Sequence, residues 1–330
     1  MNDEVVVSVC CLAYNQKKYI EQMLESIVHQ KTSFRYEILI SDDASTDGTT
    51  EVITEYAQKY PNLIRTFLQT NNMYSQGKNT MRSILFPAVR GKYVAFCEGD
   101  DYWCNNNKLQ KQFDAMELHS ECSICTHNVQ AIYENGTTKK GCMFPGRLFV
   151  GGIVGQNDYA EFLIGKAACT FQLSSYFFRA QYAHQIAEAP PQYFAYANVG
   201  DEKYQRYCLN EGKMYFIEDV MSCYRLQSVG SWNTRENATD KQKLNHCKGM
   251  IQMEEAFDRY SQYKFHQYVQ YGVKYREFLY LVDTKQYRRI FDGNHRDILN
   301  SLGVKQRIKY HTYSWFPWLS DIVAAIRRKE

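Results

Sequence analysis

Val5-Val6-Val7-Ser8-Val9-Cys10-Cys11-Leu12-Ala13-Tyr14-Asn15 is the stretch on which the fold turns. Residues 5–12 run almost without a polar break, the pattern of a strand covered on both faces. Ala13-Tyr14-Asn15 ends the run, and Ile20, Met23, Leu24, Ile27 and Val28 then recur at helical spacing. The order is strand, short loop, helix. It repeats. Residues 36–41 form a second apolar run, Asp42-Asp43-Ala44-Ser45-Thr46-Asp47-Gly48 is a polar turn rich in helix-capping residues, and Val52, Ile53, Tyr56, Ala57 and Tyr60 mark a helix stopped at Pro61. Residues 63–68 read as a third strand. A polar loop holding Gly77 leads to a helix around 81–89, and Gly91 turns the chain into Lys92-Tyr93-Val94-Ala95-Phe96-Cys97, a fourth strand.

Strands alternating with helices predict an α/β fold built on a parallel, helix-covered sheet. Ligands of such sheets bind beyond the carboxyl ends of the strands. The segments to examine are therefore Ala13-Tyr14-Asn15, Asp42-Asp43 and Glu98-Gly99-Asp100-Asp101. Past about residue 125 the regularity weakens. Glycines punctuate residues 136–155, residues 201–209 read as a helix, 213–218 as a strand, and long helices dominate from 241 onward.

The 330 residues carry a formal net charge of +3, too small to imply a nucleic-acid partner. Residues 236–330 hold 17 Lys/Arg against 11 Asp/Glu, so the tail is basic and the remainder mildly acidic. That fits either an enzyme whose end rests near an anionic surface or a solvated helical face. The 11 cysteines sit largely in apolar segments, and the polar start Asn2-Asp3-Glu4 is no secretory signal, so a reduced cytoplasmic setting is expected. Cys122-x-x-Cys125 with His127 lacks a second ligand pair at zinc spacing and reads as a buried strand. No run is long enough to span a bilayer. Residues 315–329, Trp-Phe-Pro-Trp-Leu followed later by Arg-Arg-Lys, read either as an interfacial anchor at the cytoplasmic face of the inner membrane or as a segment packed on the body.

Glu98, Asp100 and Asp101 directly follow an apolar strand, and like charges placed together are costly unless a cation or hydrogen bonds offset them. Aspartate oxygens suit Mn²⁺ or Mg²⁺, which could bridge a diphosphate. A turn with capping aspartates accounts for the same spacing.

Three segments, taken in order, resemble the family 2 glycosyltransferases of the GT-A fold. They are residues 7–15 with Lys18-Tyr19-Ile20 behind them, residues 36–47, and residues 91–103 with Lys108-Leu109 and Gln112 downstream. The resemblance is close over the first third and thinner through Trp232. It implies that Ala13, Tyr14 and Asn15 lie at the nucleotide, with Tyr14 against the base. Asp43 would accept from a base N–H, favouring a uracil-like edge. Asp100 would sit near ribose and metal, Asp101 would be the principal metal ligand, and Glu98 would hold the leading acidic position. Lys78 and Arg82 are candidates for phosphate contact or plain surface cations. The family's base is an acidic residue opening a helix in the second half, which places Asp201 there with Glu202 in reserve; Asp201 as a mere helix cap is the other reading. In the family's Tyr-Arg-x-His, Gln227 replaces His after Tyr224-Arg225, and Leu12-Ala13 replaces the usual Pro-Thr.

The resemblance implies a GT-A domain plus a C-terminal helical extension. Residues 1–125 would bind donor and metal, 126–235 would shape the acceptor site and supply the base, and 236–330 would support that site, a membrane surface or an oligomer. The activity implied is inverting transfer from a nucleotide-sugar donor, a UDP-sugar first, to a saccharide or lipid-linked saccharide in surface-polysaccharide synthesis. A nucleotidyltransferase is disfavoured by the glycine-free loop at residues 12–18, and a non-catalytic nucleotide-sugar binder by the retained Asp100, Asp101 and Asp201.

Overall fold

The computed structural model describes residues 4–146, 148–165, 171–197, 199–226 and 239–327. Gln227, Gly230, Ser231 and Trp232, which bear on the Tyr-Arg-x-His comparison, lie outside them.

Strand β1 (Val5–Ala13), helix α1 (Lys17–Val28), β2 (Arg35–Asp42), α2 (Thr49–Lys59), β3 (Ile64–Leu68) and β4 (Tyr93–Phe96) follow the expected alternation. β3, β2, β1 and β4 lie side by side and pair in parallel. Val7, Val9 and Cys11 of β1 are buried among Ile20, Met23, Leu24, Ile38 and Ile53, so the apolar run is covered by helices as its composition demands. The one polar break, Ser8, donates to Glu37 (2.7 Å) and accepts from the Arg90 and Gly91 N–H groups (3.2 and 3.0 Å). Buried Glu37 is in turn paired with Arg90 (2.6 Å) and Arg65 (3.0 Å), which keeps its charge compensated. Gly91 is needed there, because a Cβ would come within 2.7 Å of the Ser8 nitrogen.

The expected helix around 81–89 is broken in two. Residues Met81–Leu85 form a π-turn that runs into a short α3 (Phe86–Ala88), with Pro87 in its first turn, where the missing N–H costs nothing.

The parallel pattern stops at β4. β9 (Phe177–Arg179) pairs antiparallel with both β4 and β6 (Cys122–Ile132), so the whole sheet is mixed. β10 (Lys213–Arg225), longer than the strand expected at 213–218, runs parallel to β6 and carries β5 (Tyr102–Trp103) at its far edge. β7 (Thr138–Phe144) and β8 (Gly152–Val154) are side branches. Cys122, Cys125 and His127 lie on β6 and are buried, as expected of a core strand. Helices α4 (Lys108–Leu118), α5 (Gln156–Ala160), α6 (Ala180–Glu188) and α7 (Gly200–Glu211) complete the series. The ten described cysteines are all free.

The chain divides into two compact units. The first comprises residues 1–159, 169–191 and 199–232 and contains the sheet. The second comprises 160–168, 192–198 and 233–330. It is helical, with α8 (Asp240–Tyr260), α9 (His266–Asp283), α10 (Arg296–Ser301), α11 (Val304–Trp315) and α12 (Leu319–Arg327). Thr239 caps α8 by accepting from the Gln242 N–H (3.2 Å). Glu254 and Arg276 form a buried ion pair at 3.0 Å, and Gly272 lets α9 approach the Ile164 carbonyl, where a Cβ would sit 2.5 Å away. Phe278, Leu281, Ile290 and Ile298 form a small core of their own. Among the described residues no helix is long and apolar enough to cross a membrane.

Candidate active site

Every segment singled out at a strand end lies in the first unit, and the backbone ties them together. The Asp43 N–H donates to the Ala13 carbonyl (2.9 Å) and the Gly99 N–H to the Leu12 carbonyl (3.0 Å). Asn15, at φ 51°, donates its N–H to Ser45 Oγ (2.9 Å) and accepts from the Thr46 N–H (2.8 Å). Asp42 is buried and accepts from the Ser45 and Thr50 hydroxyls. Asp47 accepts from the Thr49 N–H at the start of α2 and from the Lys17 N–H at the start of α1 (both 3.0 Å), so the polar turn holds both helix starts and the loop after β1 together. A Cβ on Gly99 would come within 2.2 Å of the Gln16 amide oxygen, so that side chain would have to move.

Tyr14 is exposed on this edge, with Ala13 buried beneath it. Asp43 is buried, and its two oxygens accept from the Met73 (2.6 Å) and Tyr74 (3.1 Å) N–H groups. Each oxygen keeps further lone-pair capacity. Lys78 is exposed in the loop behind Tyr74, where its backbone N–H donates to the Met73 carbonyl (3.0 Å). Arg82 is half-buried and lies near Lys203 and Tyr204 of α7, whose ionisation its charge influences.

The acidic residues converge. Asp201, in the first turn of α7, lies close enough to Glu98 for its charge to raise the Glu98 pKa. Burial, then Asp100 and Asp201, push Glu98 up to about 8. Burial, then Glu202, push Asp201 up to about 6. Burial, then Asp100 and Glu98, hold Asp101 well above the usual carboxylate range. Asp201 Oδ1 accepts the Glu202 N–H at 2.9 Å, so it does serve its helix start. Glu202 instead pairs with buried Arg206 at 3.0 Å. Tyr204 stacks on Phe96 (6.2 Å, 15°), which seats α7 against β4.

One residue of the Tyr224-Arg225 motif, to which the sequence assigned no role, organises the cluster. Arg225 ends β10 and is buried. Its N–H donates to Asp101 Oδ1 (3.0 Å), its Nε to the Asp100 carbonyl (3.0 Å), its Nη1 to the Glu134 carbonyl (2.9 Å) and its Nη2 to Gln22 (3.0 Å). Its guanidinium lies 4.5 Å from the centre of the Tyr19 ring. The sequence placed it in the family-like Tyr224-Arg225 pair but carried no sign of what it binds.

Asp101 Oδ2 is buried and has no hydrogen-bond partner among the described residues. An unpaired carboxyl oxygen beside two more carboxyl groups, whose crowding a cation would relieve, is the donor chemistry that suits Mn²⁺ or Mg²⁺. Among the described residues no three His, Cys, Asp or Glu side chains form a ligand set alone. Magnesium-type ions are usually held by one or two carboxylates and complete their shell with water and phosphate oxygens, so the residues present fit such an ion.

The family described as glycosyl transferase family 2 matches residues 8–172. The chain is 42% identical over 139 residues to the uncharacterized protein Rv1520 of Mycobacterium tuberculosis, covering 42% of this chain and 39% of that one. It is 30% identical over 136 residues to the putative teichuronic acid biosynthesis glycosyltransferase TuaG of Bacillus subtilis, covering 41% and 51%. The matches thus span only about two-fifths to half of these relatives' length. In fold the chain is similar to S. aureus TarS 1-349 in complex with UDP-GlcNAc, with a TM-score of 0.61 and 15% identity over 93% of this chain and 79% of that one. It is likewise similar to the mannosyltransferase PcManGT of Pyrobaculum calidifontis in complex with GDP-Man and Mn²⁺, with a TM-score of 0.55 and 13% identity over 95% and 84%.

Proposed function

The chain belongs to glycosyltransferase family 2, and from that premise we propose that it is an inverting transferase that moves a sugar from a nucleotide-sugar, preferably a UDP-sugar, to an acceptor hydroxyl. The observation that carries the reading is the approach of Asp201 to Glu98, a residue that itself lies beside Asp100 and Asp101, from a distant part of the chain. In this reading Tyr14 lies under the base, Asp43 orients its edge, and Arg82 faces phosphate. Asp101, with Asp100 beside it, would hold Mn²⁺ or Mg²⁺; when bound, the ion supplies positive charge to a departing diphosphate.

Asp201 accepts the proton. The acceptor oxygen forms a bond to the anomeric carbon as the bond to the diphosphate oxygen breaks, with its electron pair leaving on the diphosphate. The hydroxyl proton passes to the Asp201 carboxylate. A carboxyl raised to about 6 is ionised at neutral pH yet more basic than an ordinary aspartate, which suits a general base. Glu202 is held by Arg206 and is the weaker candidate.

The substrate class rests on the relatives: TuaG is named for teichuronic acid synthesis and TarS was solved with UDP-GlcNAc. A saccharide or lipid-linked saccharide of a surface polymer is the acceptor we favour, reached from the cytoplasmic face of a membrane. Residues 1–125 would then serve donor and metal, 126–235 acceptor and base, and 236–330 would support the site or its membrane contact.

The test is incubation with Mn²⁺ and a panel of nucleotide-sugars, reading nucleoside diphosphate release with and without saccharide acceptors. Release dependent on Mn²⁺ and abolished in Asp201→Asn, with donor binding kept, is expected. Pyrophosphate release, or undiminished turnover in Asp201→Asn, would reject the reading.

A further inference from the structure

The helical second unit turns an apolar face outward. On α11, Val304 (62% exposed), Ile308 (61%), Thr312 and Trp315 (73%) recur one turn apart along a single stripe. The opposite face is the one that packs: Tyr313 and Ser314 are buried, and Tyr310 packs on the core of Phe278 and Ile298. Phe316 (52%), Trp318 (57%) and Ile322 extend the stripe into the start of α12. An amphipathic helix that follows the rule of its own fold buries such a stripe; this one presents it to solvent.

The flanks of the stripe are basic. Helical spacing puts Lys305 and Lys309 on one side and Arg307 on the other. The second unit also contains a cavity of about 370 Å³, lined by Phe291, Arg296, Asn300, Arg307 and His311 among others. Neither Arg296 nor Arg307 is ion-paired with a carboxylate among the described residues, and the His311 ring packs at 4.2 Å on Phe291. His311 belongs both to this cavity and to the exposed face of α11, so the cationic recess opens beside the apolar stripe.

We propose that this face docks on a bilayer of anionic phospholipid, with the Trp315–Trp318 edge entering the interface and a lipid phosphate drawn to Arg296 and Arg307. Bulky aromatics, an aliphatic stripe and flanking long cations are the composition of an interfacial helix. Charge complementarity favours a lipid surface over a second copy of this chain, whose matching face would bring the same cations together. The docking deepens the membrane contact proposed above for residues 236–330, and since it uses none of the active-site residues its failure would leave the catalytic reading standing.

The experiment is co-sedimentation of the full chain with vesicles of phosphatidylcholine alone and of phosphatidylcholine mixed with phosphatidylglycerol, with circular dichroism confirming the fold of each variant. Wild type is expected to bind the anionic vesicles at least tenfold more strongly, with the preference reduced by high salt. Trp315→Ser with Trp318→Ser lowers binding to anionic vesicles at least tenfold, and Ile308→Ser, which leaves the aromatic edge intact, lowers it less. Arg296→Ala with Arg307→Ala removes most of the preference for anionic over neutral vesicles. Nucleotide-sugar hydrolysis is unchanged in all of them. Wild type that stays in the supernatant with both vesicle types overturns the proposal, as does a tryptophan variant that binds like wild type. A dimer in sedimentation velocity that dissociates in the tryptophan variant, without vesicle binding, reassigns the face to a second copy. Unaltered lipid preference in the arginine variant removes the phosphate recess.

Discussion

Replacing Asp201 by asparagine should stabilise the fold while ending transfer, and the size of the gain follows from the site. Burial, followed by the charge of Glu202, raises this carboxyl from 3.8 to about 6. A group raised in the folded state favours folding most when protonated. Its contribution is complete below the unfolded value and is lost as pH rises through the folded one. The shift is roughly two units, so at pH 8 the ionised Asp201 costs about 3 kcal/mol relative to its protonated form. Asparagine removes the charge and keeps an oxygen to accept the Glu202 N–H. Urea unfolding of the metal-free protein in a chelator should therefore show Asp201→Asn more stable than wild type by about 1–3 kcal/mol at pH 8. The gap should shrink toward zero near pH 4. Wild-type kcat/KM should fall as pH drops through about 6, where the base becomes protonated. If the variant gains nothing at pH 8, or gains the same amount at both pH values, the buried-charge argument is wrong. If it gains stability but keeps full turnover, Asp201 is only a helix-start residue.

Asp101→Asn keeps the acceptor for the Arg225 N–H but loses the charge; calorimetry should find UDP binding strengthened by Mn²⁺ in wild type and insensitive to it in the variant. Arg225→Lys cannot serve the Asp100 and Glu134 carbonyls and Gln22 together. It should lower stability by about 2 kcal/mol in urea and weaken donor binding, because buried acceptors lose their donors and the Asp100 loop loosens. Lys108 is fully buried, with Nζ 2.7 Å from Gln112 and 4.0 Å from the centre of the Trp103 ring, and burial lowers it to about 7. A depressed amine favours folding above its unfolded value and loses that contribution as pH falls through the folded one. Melting temperatures should accordingly show Lys108→Met gaining on wild type as pH drops from 10 to 6, and a constant difference would argue that the amine keeps an ordinary pKa.

Much of the first half was legible because local rules and the global fold agree there. An apolar run with one polar break at Ser8 predicts a covered strand, and the structure explains the break by giving Ser8 a buried carboxylate to bind. The tips after β1, β2 and β4, acidic after the last two, could be placed on one edge because parallel strands share a direction. The mixed half was less legible. β9 is only three residues long and inserts antiparallel between β4 and β6, a pairing fixed by contacts far apart in sequence that periodicity does not encode. The π-turn at Met81–Leu85 likewise keeps an apolar spacing that reads as ordinary helix.

For the site the division is similar. Glu98, Asp100 and Asp101 could be named from the chain alone, since oxygen-rich turns at strand ends are local patterns, and the family resemblance added Asp201 at a helix start. That Asp201 comes within electrostatic reach of Glu98, that Arg225 grips Asp100 and Asp101 from the end of β10, and that Asp101 Oδ2 is left unpaired are consequences of packing between segments more than a hundred residues apart. Charge type is a property of a residue. A pKa, a clasp or an orphaned oxygen is a property of what surrounds it, and only the folded chain supplies the surroundings.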